Sequence, residues 1–127
     1  MYYIVETAKA FDQASADLEA AVKRHGFGVL HVHDLGATLR SKGLAFDEQC
    51  RIFEVCNPQQ AKKVLEANLE ISTALPCRIS VYEEGGLTKL ATIKPTAMIA
   101  LYATPALQGV AEEVEATLDR IMAEAAR

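Results

Sequence analysis

No stretch of this sequence stays apolar for the roughly 20 residues that crossing a bilayer requires, which sets membrane partners aside. The opening MYYIVETAKA lacks the positive start and apolar core of a signal peptide, so the expected location is cytoplasmic. Cysteine is scarce: Cys50, Cys56 and Cys77 are an odd number and form no Cys-x-x-Cys pair, which argues against a secreted disulfide framework and a zinc knuckle and for reduced thiols. Clustered basic charge is also missing. The net charge is -4, lysines and arginines are interspersed with acids, and the densest basic group is the pair Lys62-Lys63, so nucleic acid is not an expected partner. The chain contains no GxGxxG, no GxxxxGK[ST], no GxSxG and no HExxH, so the familiar phosphate-cradling and catalytic motifs are absent. Linkers, repeats and low-complexity tails are lacking too.

What remains is an ordinary globular composition: half of the 127 residues are hydrophobic and about a quarter are charged. A chain of this length buries roughly two-thirds of the surface it exposes when unfolded, so residues 1–127 are expected to fold as one domain without staples.

Tyr2 to Val5 is a short β-prone run. Phe11, Ala14, Leu18, Ala21 and Val22 then recur at helical spacing, and Gly26 supplies a stop, with His25 placed where positive charge favours a helix C-terminus. A strand is expected through FGVLHVHDL, then a short helical segment over 37–42 capped by Asp34, then an alternating strand over 49–56. Asn57-Pro58 reads as a helix start, because Asn offers a capping oxygen and Pro loses nothing by lacking an N–H at the first helical position. The runs 77–82 and 87–93, joined through Glu84-Gly85-Gly86, form a β-hairpin. Residues 95–102 fit a short helix or a strand. Thr104-Pro105 repeats the capping pattern before a helix whose stripe is Leu107, Val110, Ala111, Val114, Leu118, Ile121 and Met122. Helices with one apolar stripe must bury it, so the expected fold is α+β: a single-layer mixed or antiparallel sheet with helices packed on one face and the other face open or covered by a partner.

Strand alternation then points to a candidate site. If Leu30 and Val32 pack under the helices, Val29, His31 and His33 face the other way. Burial of Phe53 and Val55 sends Glu54 and Cys56 outward, and burial of Ile79 and Val81 sends Arg78, Ser80 and Tyr82 outward while holding Cys77 in the core. The most economical account of such a surface is a solvated sheet face. Its content, however, is unusual for one: two imidazoles, a thiol, a carboxylate, a guanidinium and a phenol are groups that bind ligands. His31 and His33 are therefore candidate cofactor or metal ligands, with Glu54, Arg78 and Tyr82 as further contacts. A catalytic zinc wants a third protein ligand, which Glu54 or Cys56 supplies only if the strands are neighbours. Cys56 is also a candidate nucleophile for a thiol-dependent redox or sulfur-transfer enzyme, because the positive end of the helix capped by Asn57 favours a thiolate. Its competing role, and that of Cys77, is a small apolar group filling a gap.

The segments GFGVLHVHDLGATLRSKG, RIFEVCNPQQAKKVLEAN, ALPCRISVYEEGG and TPALQGVAEEVEATLDRI together resemble the bacterial and archaeal domain-of-unknown-function family 302 over nearly the whole chain. The match rests on Gly28, Cys56, Asn57, Pro58, Leu75, Pro76 and Cys77. The resemblance implies a compact α+β fold and a homodimer, and it raises haem or a divalent metal as the cofactor class. It supplies no activity and no catalytic residue. Three functions follow as expectations: a dimeric binding protein holding a cofactor, metal or small ligand on its open sheet face; a thiol enzyme using Cys56; and a structural or protein-interaction dimer without a ligand.

Overall fold

The computed structural model describes Met1–Arg127. Five strands, β1 (Tyr2–Thr7), β2 (Gly28–Asp34), β3 (Cys50–Cys56), β4 (Cys77–Glu84) and β5 (Leu87–Ile93), form one sheet in the order β1-β5-β4-β3-β2. Every pairing is antiparallel. Five α-helices connect or follow them: α1 (Phe11–Arg24), α2 (Leu35–Ser41), α3 (Pro58–Ala67), α4 (Pro95–Ile99) and α5 (Gln108–Ala126). Because β1 and β2 are the two edges, α1 must carry the chain across the full width of the sheet.

The main core forms where the stripes of α1 and α5 meet the inward residues of the central strands. Leu18, Val22, Ile79, Val81, Leu90, Leu118, Ile121 and Met122 are fully enclosed there. Each contributes on the order of 1.5–3 kcal/mol by leaving water. A second, smaller cluster of Val64, Ile71, Ile99, Leu107 and Ala111 joins α3, α4 and the start of α5 at one end of the molecule.

Local chemistry explains most element ends. The Asp34 carboxylate accepts a hydrogen bond from Ala37 N at 2.9 Å and starts α2 at Leu35, two residues earlier than the sequence pattern suggested. Asn57 Oδ1 accepts from Gln59 N at 3.1 Å and Gln60 N at 3.2 Å, with Pro58 opening α3 as expected. Gly85 and Gly86 adopt φ of 62° and 80°, the left-handed pair that a two-residue type I′ hairpin turn requires. The ambiguous stretch after Pro95 is α4 followed by a 3-10 turn over Ala100–Tyr102.

Two expectations are overturned. Thr104 stands at the N-cap position of a 3-10 turn over Pro105–Leu107 that precedes α5, but its side chain makes no capping bond: its hydroxyl donates to Tyr102 O at 3.0 Å and accepts from Asn68 Nδ2 at 3.1 Å. In β2 a β-bulge shifts the register between Val29 and His31, leaving Leu30 without a partner on β3. The extra residue turns Val29 back onto the main core and leaves Leu30 60% exposed instead of buried. Val32 pairs with Phe53 on the core side, so the histidines do face away from the helices, but Val29 does not join them.

Candidate functional site

Cross-strand pairing arranges the uncovered face in rows, because directly opposed residues share a face. One row runs Ile4, Ala91, Ser80, Ile52 and His33 across all five strands. Beside it on one side lies Arg78, Glu54 and His31, and on the other Glu6, Lys89, Tyr82 and Cys50.

The first two rows hold the candidate ligands together. The His31 and His33 rings meet edge to face with centroids 4.4 Å apart. His33 Nε2 lies 3.2 Å from Glu54 Oε1, and Arg78 Nη2 lies 3.5 Å from Glu54 Oε2. Glu54 is thus shared between a guanidinium and an imidazole and is the most shielded of the three, with 17% of its side chain exposed.

Two predicted members stand elsewhere. Tyr82 is four residues along β4 from Arg78, about 13 Å at strand rise, and belongs with Cys50 and Lys89. Cys56 ends β3 opposite Gly28 and lines an apolar cavity with Cys77 rather than extending the histidine cluster. Burial pushes the Cys56 thiol up from its ordinary value, opposite to the direction expected from a helix start alone. Burial, reinforced by the nearby Cys56, pushes Cys77 up to about 11, against a smaller opposing effect of Arg78. His25 approaches Glu124 Oε2 at 3.6 Å, which ties the end of α1 to α5.

No three of the histidine, cysteine, aspartate and glutamate side chains converge into a metal-holding group. Two neighbouring imidazoles stacked edge to face, with the adjacent carboxylate engaged by Arg78, do not complete a metal or haem site within one chain. The sheet face is also uncovered by any helix, so any ligand lying on it has one wall only.

Sequence reasoning missed the cavity altogether. It lies on the seam between the two apolar clusters, where Phe27, Val55 and Cys77 face Val64, Ile71, Ile99 and Ala111. These residues come from segments far apart in the chain, so no local pattern announces that their surfaces fail to close completely.

An open five-stranded antiparallel sheet with two crossing helices on one face places the molecule among α+β proteins. Residues 3–125 match the family described as Domain of unknown function DUF302, and the chain belongs to that family. It is also similar to a solved structure described as the crystal structure of uncharacterized conserved protein DUF302 from Bacillus stearothermophilus. The two share 36% sequence identity and superpose with a TM-score of 0.94, over 99% of this chain and 98% of that one. No curated protein matches the chain. No helix is long and apolar enough to cross a membrane.

Proposed function

We propose that the protein is a homodimeric cytoplasmic binding protein that holds a small ligand or cofactor between two open sheet faces, with His31, His33, Glu54 and Arg78 as its polar contacts. The observation that supports this reading is the composition of the uncovered face: His33 and Arg78 converge on Glu54, beside a row in which Ile4, Ala91 and Ile52 supply apolar surface. A second copy supplies the wall that an uncovered face lacks, and doubling the cluster brings four imidazoles to one interface. A divalent metal or a haem then finds ligands from both chains that neither chain offers alone.

The test is an absorption spectrum with metal analysis of the anaerobically purified protein, repeated with added haemin, together with the solution mass, for the wild type and the His31→Ala/His33→Ala double variant. A Soret band or stoichiometric metal in the wild type that disappears in a folded double variant is the expected result. A dimer with a featureless spectrum and no metal under every condition makes the face an interaction surface without a ligand, and overturns the proposal.

A further inference from the structure

Along one end of the sheet the uncovered face divides into two halves of different chemistry. On β1 and β5 it is apolar: Tyr2 opposes Ile93, Ile4 opposes Ala91, and Tyr2, Ile4 and Ile93 are all exposed. On β2, β3 and β4 it carries His31, His33, Glu54, Arg78 and Ser80. The halves adjoin between β4 and β5. Ser80 opposes Ala91, and two residues further along each strand the same antiparallel alternation sets Arg78 beside Ile93. A guanidinium therefore stands at the border of an exposed apolar platform.

The polar half is rich in donors and has no free acceptor of its own charge class. Glu54 is its only carboxylate, and one oxygen faces His33 Nε2 at 3.2 Å while the other faces Arg78 Nη2 at 3.5 Å. Arg78, with 54% of its side chain exposed, is far more open than Glu54. Its approach to Glu54 is longer than the roughly 2.9 Å of a charge-assisted hydrogen bond, so the guanidinium fork remains available to a second acceptor. Ser80 adds a hydroxyl on the same face. An ionised carboxylate accepts and never donates, and its two oxygens match the fork of an arginine. A cationic head group would instead meet Arg78 and find Glu54 already engaged from both sides.

We infer that the sheet-face site takes an amphiphilic carboxylate, with its head group on the Arg78 fork and its apolar body across Ile93, Ile4 and Tyr2. The ligand class rests on the reading of this face as a ligand site, and it needs neither imidazole to bind a metal. A second copy laid over the face encloses the apolar body.

The probe is 2-naphthylacetate, whose flat body reaches over two strands roughly 5 Å apart, followed by amide and methyl NMR on the full chain. 2-Naphthylacetamide is the neutral match with the same body, and acetate is the head group alone. The expected result is saturable binding of 2-naphthylacetate in the millimolar range or tighter, with shifts at Ile4, Ala91 and Ile93 and weaker binding of both controls. Arg78→Gln changes an exposed side chain; it is expected to weaken the carboxylate about tenfold, the worth of one hydrogen bond to a charged group, and to leave the amide unchanged. Arg78→Lys keeps the charge without the fork and is expected to recover only part of that loss. Ile93→Ser removes apolar area and is expected to weaken both naphthyl compounds. Equal affinity for carboxylate and amide, equal loss of both in Arg78→Gln, non-saturating shifts, or shifts gathered at the apolar cavity overturn the carboxylate. The histidine-dependent Soret band or metal signal tests the face itself: that signal without a response to 2-naphthylacetate overturns the ligand class and leaves the face standing as a site. Absence of both removes the face as a ligand site altogether.

Discussion

At Cys56 two physical effects act on one sulfur in opposite directions. The adjacent helix start, capped by Asn57, favours negative charge, while burial beside the cavity penalises it. Burial wins, and the thiol is pushed up. Only the first effect is visible in the string Cys-Asn-Pro, because a helix start is written locally and solvent access is not. The consequence for chemistry is direct: a nucleophilic cysteine needs its thiolate near neutral pH. Alkylation of the native protein by iodoacetamide at pH 7.5 is therefore expected to be slower at Cys56 than for a small free thiol, and slower again at Cys77, whose thiol is pushed up to about 11. Unfolding in urea should bring both to the free-thiol rate. Mass spectrometry of timed, quenched samples reads each site separately, and fast native labelling of Cys56 would return the thiol-enzyme reading to the front.

Elements carry a different balance of legible and hidden information. The β-hairpin and the start of α3 were legible because each depends on two or three adjacent residues, Gly85-Gly86 and Asn57-Pro58. The bulge in β2 was not, because the unpartnered residue, Leu30, is itself apolar and makes Leu30-His31-Val32-His33 look like an unbroken alternation. Edge position makes the bulge useful: it twists β2 and interrupts the regular row of free backbone groups that invites another strand. Thr104 failed as a cap for a related reason, since its hydroxyl is engaged by Asn68, 36 positions away. The cap that does form has a measurable worth. Replacing Asn57 with Ala removes the acceptor for Gln59 N and Gln60 N and is expected to lower unfolding stability by about 1 kcal/mol. A urea titration that shows an unchanged midpoint would mean that packing of Val64 against the second cluster holds α3 without its cap.

For the whole molecule, the amphipathic stripes implied a sheet with helices on one face, but strand order and the seam between the two clusters arise from contacts distant in sequence. The histidine cluster was legible because it needed only alternation and neighbouring strands; the exclusion of Tyr82 from it required the register. The same register leaves a large face without a covering layer, on which Tyr2 is 62% exposed and Ile4 49% exposed. Apolar side chains grouped on an open sheet face mark a surface made for contact. Both signs of charge lie there too, since Lys89 lies between Glu6 at 3.8 Å and Glu84 at 2.9 Å while Arg78 holds Glu54 nearby, as the proposed pairing with a second copy requires. Light scattering over a dilution series is accordingly expected to give twice the 13.8 kDa chain mass at high concentration. Ile4→Lys places an unpaired charge into the contact and is expected to weaken association about a hundredfold while leaving the fold intact. The replaced side chain already stands in water in the single chain, so its thermal unfolding in dilute solution should match that of the dissociated wild type. A wild type that remains a monomer at every concentration would remove the second wall from the sheet-face site, and with it the proposal that a ligand is held there.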